Sequence, residues 1–225
     1  MKKESIKALV ESLGQKYSET LGINLSLADD GEVFKWFLAS LLFGAPITES
    51  SVIKTYECFE KHDALTPKKI LGRGWDGLVR VLDEGGYTRY DFKTADKLLE
   101  VMRNLLGAYS GSLSLIHAQS SDARDLERRL RALGKGIGDV TVSIFLRELR
   151  GVWRKADPKP TRFVVEAGKR LGIVKKEAAA EEALRQLKVF WARNKLRRKS
   201  FVNFETALLR FEKDYFKKGR SPAFL

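Results

Sequence analysis

Two stretches of this 225-residue chain bring together residue types that chemistry can use. In Leu130-Arg131-Ala132-Leu133-Gly134-Lys135-Gly136-Ile137-Gly138, a highly charged stretch gives way to the mostly apolar run Val142–Leu149. Glycines on either side of one β-branched residue permit a tight hairpin and leave backbone N–H groups uncovered. At the start of the next helix such groups seat a phosphate, and Lys135 adds a cation beside them. Lys135, Gly136, Ile137, Gly138 and Thr141, with Arg131 upstream, are therefore candidates to clamp a nucleic-acid backbone without reading its sequence. The bland reading is a helix–helix connection closed by a glycine cap. The second stretch is Ala156-Asp157-Pro158-Lys159-Pro160-Thr161, a carboxylate in a proline-rich loop. Taken alone, Asp157-Pro158 reads as an N-cap followed by a first-turn proline.

The composition favours the clamp. Lys and Arg number 42 against 29 acids, a net charge of +13, and the isoelectric point is near 9.8. Charge of that size suits a polyanion, because each neutralised phosphate releases counterions. An anionic membrane surface would use the same charge. The apolar fraction of 44% is ordinary for a chain with a buried core. Cys58 is the single cysteine, so this chain can close no internal disulfide and cannot by itself ligate a four-cysteine zinc or iron–sulfur centre. A reducing, cytoplasmic location fits. The start, Met1-Lys2-Lys3-Glu4, leads into an amphipathic stretch without the apolar run of a signal peptide. Trp36–Phe43 is too short to span a bilayer. His62 and His117 stand alone, without metal-ligand or triad spacing.

The elements that must position these residues read as helices throughout. Apolar residues recur at helical spacing from Ser5 to Leu21, and Asp29 or Asp30 caps an apolar helix reaching about Phe43. Thr48 with Ser51 caps Val52–Phe59, and Thr66-Pro67 reads as N-cap and first residue of a short helix. A glycine-rich passage at Gly72, Gly74 and Gly77 precedes a second short helix, Leu78–Leu82. Asp91–Leu106 is amphipathic, Gly107–Ser121 is expected to be irregular, and Asp122–Leu133 is helical again. Val142–Leu149, Phe163–Leu171 and two helices within Glu177–Lys217 complete an all-α chain of at least eight helices.

On these residues the sequence resembles the helix-hairpin-helix DNA glycosylases, the endonuclease III group. That family has a Leu-Pro-Gly-Val-Gly hairpin, a buried helix, and an essential Asp about twenty residues beyond the second glycine. Here Asp157 lies 19 residues beyond Gly138, with the apolar helix between them. Phe34–Phe59 resembles the family's early helix pair and Leu78–Leu106 the portion that follows, so the likeness covers about residues 30–172. It implies two helical lobes with a cleft between them: residues 29–150 as a bundle ending in the hairpin, and residues 1–28 with 151–225 as a second lobe. It implies that the target nucleotide is flipped out of duplex DNA. It also assigns Asp157 the catalytic role, stabilising the oxocarbenium-like sugar and activating water.

Four departures qualify the likeness. Bifunctional members carry a nucleophilic lysine two residues beyond the second glycine; that position is Val140, which cannot attack the sugar. The resemblance then implies base removal without efficient strand cleavage. The hairpin has Leu133-Gly134-Lys135 where Leu-Pro is usual. The Gln that fills the gap left by the flipped base corresponds to Ala45, leaving Phe43, Ala45 and Tyr87 as wedge or pocket candidates. The cysteines of the family's iron–sulfur cluster are missing from the tail, Asp214–Leu225. The expected cofactor set is thus none, with at most a monovalent cation on the hairpin backbone. The expected partner is double-stranded DNA with a damaged or mispaired base, bound by a monomer and with no membrane. Arg128, Arg129 and Arg131, and the run Arg193, Lys195, Arg197, Arg198 and Lys199, are further candidates to grip its backbone. Phe34, Trp36 and Trp153 join Phe43 and Tyr87 as aromatics able to stack on a base, although at helical spacing most aromatics are core. Three alternatives stay open: a DNA-binding protein without catalysis, a lyase with a displaced lysine, and a basic helical regulator on RNA or membrane.

Overall fold

A computed structural model describes residues 3–220; Met1, Lys2 and the last five residues of the tail lie outside the described residues. Among the described residues there are twelve α-helices and no strand. The chain divides into two compact units, residues 21–157 and residues 1–20 with 158–225. The divisions fall at 20/21 and 157/158, where the sequence expected them near 28/29 and 150/151, so Asp157 is the last residue of the first of these units and Pro158 the first residue of the next segment.

The 21–157 unit is built around α3 (Asp30–Phe43), which is apolar on nearly every side because neighbours cover it. Asp29 caps it, its carboxylate accepting the Glu32 N–H at 3.1 Å. Helices α4 (Glu49–Lys61), α7 (Leu113–Gln119) and α9 (Asp139–Glu148) pack on it. Trp36 is fully buried at the contact with α9, and its indole N–H donates to the Phe145 carbonyl at 3.0 Å. Helices α5 (Pro67–Glu84) and α6 (Asp91–Tyr109) form the most extensive pair, and α8 (Ala123–Arg131) precedes the hairpin. Thr48 and Thr66 are N-caps, and Pro67 occupies the first turn of α5.

The unit of residues 1–20 and 158–225 centres on α12 (Phe201–Arg210), against which α1 (Lys3–Leu13), α10 (Arg162–Arg170) and α11 (Ala180–Arg193) pack. Phe204 stacks on Trp191 and Phe190, with centroids 5.4 and 5.8 Å away. Buried Glu212 accepts from Arg170 Nε at 2.9 Å.

Three local expectations are corrected. The first helix stops at Leu13, and α2 (Tyr17–Thr20) is separate. Asn203 reaches across to donate to the Gly14 carbonyl at 2.8 Å, giving that oxygen a partner outside helix geometry. The two short helices around Gly72–Gly77 are one element, α5, kinked at Gly74, where φ is 65° and ψ is −179°. The stretch expected to be irregular contains the end of α6 and all of α7; Ser112, overlooked as a cap, accepts the Leu115 N–H at 3.0 Å.

The Trp36 contact gives a direct check on the core of the 21–157 unit. Trp36→Phe removes both the indole hydrogen bond and packed volume. It is expected to lower stability by about 1–3 kcal/mol, read as a lower urea midpoint at unchanged m-value.

Candidate active site and hairpin

The hairpin is seated on α6. Leu133 is buried, and its carbonyl accepts from Asn104 Nδ2 at 2.9 Å. Gly134 lies so close to α6 that a Cβ there would stand 2.8 Å from Val101 Cγ2. The Lys135 backbone N–H donates to Glu100 Oε2 at 3.1 Å. The Gly134 found where the family has proline is therefore the close-approach residue of this seat. Gly136 turns the chain with φ +85°, a conformation costly for any residue with a Cβ. Gly138 is the N-cap of α9 and supplies no side-chain cap, so the first N–H groups of that helix face outward with the positive end of its dipole.

The sequence candidates divide on this frame. Lys135, Gly136 and Gly138 are exposed, as a clamp requires. Ile137 and Thr141 are buried, Thr141 against Gly44, so only their backbones remain for that role. Arg131 is engaged by two carboxylates, Glu127 at 2.9 Å and Asp139 at 2.8 Å. Arg128 and Arg129 both pair with Asp125, at 2.5 and 3.1 Å. The Ser121 N–H, then Arg129, holds the Asp125 carboxyl down at about 2. Arg128, Arg129 and Arg131 thus each face an acid of the protein. The hairpin carbonyls of Leu133 and Gly134 already accept from Asn104 and Ile137.

Past α9 the chain turns back through Trp153, whose ring stacks on His117 with centroids 4.7 Å apart and meets Phe145 edge-on at 5.7 Å. The Lys155 ammonium donates to the carbonyls of His117 at 2.6 Å and Ala118 at 3.3 Å, and also to that of Ser120. Burial, then Lys155 and Arg154, lowers the pKa of the His117 ring. These contacts fix the loop that ends in Asp157. The Asp157 carboxylate is 44% exposed and is engaged by Arg150, whose own side chain is only 6% exposed. A buried guanidinium thus holds an open carboxylate. Asp157 is not a helix cap: α10 begins at Arg162, and its N-cap is Thr161.

Val140, at the position of the family's lysine, is 61% exposed on the first turn of α9. Of the wedge candidates, Phe43 is half-buried, 6.3 Å from Trp36, and Ala45 borders a pocket. Tyr87 is corrected to a core residue: its hydroxyl donates to the Leu42 carbonyl at 2.6 Å. Phe34, Trp36 and Trp153 are buried as well. His62 pairs with Glu84 at 2.6 Å. Arg193 ends α11, and Lys195 to Lys199 follow it as a loop with exposed or half-buried side chains.

Sequence reasoning missed Arg150, Lys155 and Lys97. The signal for Lys97 was present: it falls with Thr94, Leu98 and Val101 on the buried side of α6, where a lysine is out of place. Its ammonium donates to the Leu41 carbonyl at 3.0 Å, and burial pushes its pKa down to about 8.

No protein-family model and no curated protein matches the sequence. Solved structures do. One is endonuclease III in a trapped covalent intermediate with DNA, an estranged-adenine complex; it shares 17% identity and a TM-score of 0.54, covering 99% of this chain and 91% of that one. Another is the H. pylori 3-methyladenine DNA glycosylase MagIII bound to 1,N6-ethenoadenine, at 15% identity and a TM-score of 0.56, covering 97% and 100%. The fold of this chain is the all-α fold of these glycosylases.

Lys97 carries a stability prediction. Its folded pKa, about 8, lies below the 10.5 of a free lysine, so between these values the unfolded chain binds more protons. Stability then rises with pH across that window, and the cost of burying the charge is present in full below about pH 8. Lys97→Met should be more stable than wild type at pH 7, by at most about 3 kcal/mol. The gap should close by pH 10.5, as read from urea midpoints along a pH series.

Proposed function

We propose that this chain, built on the fold of the DNA glycosylases, is itself a DNA N-glycosylase that removes a damaged or mispaired base and leaves an abasic site. The single observation that carries the reading is Asp157: an open carboxylate, held by a buried arginine, in the loop that follows the hairpin and its helix. The chemistry follows from that carboxylate. As the C1′–N bond breaks, its electrons leave with the base and positive charge develops on the sugar. Asp157 stabilises that charge and accepts a proton from the water that adds to C1′. Arg150 is a positioning residue. It orients the carboxylate, and the incoming sugar cation competes with it for the same oxygen.

The hairpin supports the binding half of the reading. Open N–H groups at the start of α9, with exposed Lys135, suit one phosphate of the strand and carry no sequence information. Base flipping would bring the target nucleotide to Asp157. Val140 has no amine, which supports hydrolysis without a Schiff base. The protein would act as a monomer on duplex DNA in a reducing compartment, without an iron–sulfur cluster.

The test uses end-labelled duplexes, each with one lesion from a panel of deaminated, alkylated and mismatched bases, each reaction split with and without alkali. Wild type should give breaks only after alkali, and Asp157→Asn should slow single-turnover excision about 10²–10⁴-fold. Breaks without alkali would overturn the monofunctional reading. No breaks on any lesion, with DNA binding retained, would leave a binding protein. Because Val140 is exposed, Val140→Lys should fold unchanged and yield a borohydride-trapped DNA adduct that wild type lacks.

A further inference from the structure

Beside the hairpin lies a pocket of about 310 Å³ whose walls include Ala45, Tyr90, Lys93, Lys97, Lys135 and Gly136. Three of its lining side chains are lysines and none is a carboxylate. Like charges gathered in one concavity repel, and an anion relieves that repulsion. Lys35, Lys61 and Lys69, elsewhere in the same unit, each pair with an acid at 2.6 Å. Lys97 has no carboxylate partner among the described residues. Its ammonium has three N–H donors, and the Leu41 carbonyl takes one.

Burying a cation without a counter-charge is costly, and an apolar side chain of similar length would fill the same space without that cost. The depressed pKa of Lys97 is the mark of this unmet desolvation. The site is also built around the lysine stem. A Cβ at Gly136 would meet Lys97 Cδ at 3.2 Å, so the hairpin turn rests on the methylenes while the ammonium reaches the Leu41 carbonyl. Lys135 and Gly136 belong both to the hairpin and to the pocket wall.

We propose that Lys93, Lys97 and Lys135 form a second phosphoryl-group seat, made of side chains where the hairpin's is made of backbone N–H groups, and that it takes a phosphodiester of the same DNA strand. The proposal rests on the DNA-binding part of the reading above and not on base excision. An incoming phosphoryl group supplies the counter-charge and accepts the remaining Lys97 N–H groups. Because the two seats share a wall, the strand leaves the hairpin along α6, and register is held by two points of contact instead of one.

The test measures binding of an undamaged duplex by fluorescence anisotropy across a salt series, so it is independent of catalysis. Lys97→Met should reduce the slope of log K against log salt by about 1, uniformly across DNA sequences. Lys93→Met, at an exposed side chain outside the hairpin, should do the same and reports on the pocket independently of the buried Lys97. Lys7→Met, on the exposed surface of α1, should leave the slope unchanged. A parallel titration with inorganic phosphate at constant ionic strength follows the lysine Cε resonances by NMR, the Lys97 signal being the one lost in Lys97→Met. Loss of slope in the pocket variants supports the proposal. Unchanged slopes with a phosphate-dependent Lys97 shift would overturn the DNA source and assign the seat to a free phosphoryl compound. Unchanged slopes and no shift would overturn the seat itself.

Discussion

The seating of the hairpin on α6 underlies the rest of the site. A loop with three glycines in five residues has little stiffness of its own, so its conformation must be held by its neighbours. Here three contacts remove that freedom: Asn104 on the Leu133 carbonyl, Glu100 on the Lys135 N–H, and Val101 against Gly134. Each comes from one face of α6, the helix whose other residues wall the lysine pocket. Once the hairpin is fixed, the start of α9 is fixed, and its far end leads into the loop that presents Asp157.

Charge is distributed with the same economy. A net +13 suggests cations everywhere, yet Arg128, Arg129 and Arg131 face carboxylates of their own or the adjoining helix. The lysines beside the hairpin differ: they line a pocket whose wall carries no carboxylate. The carboxylate at Asp157 is treated in the opposite way. It is left open to solvent while its cationic partner is buried, so the negative group can be approached and the arginine stays in place.

Fold class was legible in the sequence because helical periodicity and caps such as Asp29, Thr48 and Thr66 are local signals. The errors came where tertiary contacts override local pattern: the Gly14 break answers Asn203, nearly two hundred residues away, and α7 was hidden by a short apolar stretch between serines. At the site, the glycine turn of the hairpin and the loop position of Asp157 were legible by residue type. Their partners were not. Nothing local to Arg131 says that Asp139 will take its guanidinium, and nothing local to Asp157 says that Arg150 will be buried beneath it. Tyr87 failed as a pocket residue for the same reason: an aromatic beside a turn looks available until Leu42 is placed next to its hydroxyl.

The ten-residue α9 sets the spacing between the hairpin and the loop that carries Asp157. It is about 15 Å long, and one residue added or lost within it would rotate everything downstream by about 100°. Substitution along such a rod is tolerable wherever volume is kept, but a change of length is a change of phase. A fold can therefore persist while most of its letters change, provided the lengths of its elements are kept. This chain, 15–17% identical to the two glycosylase structures, shares their fold over 97–99% of its length.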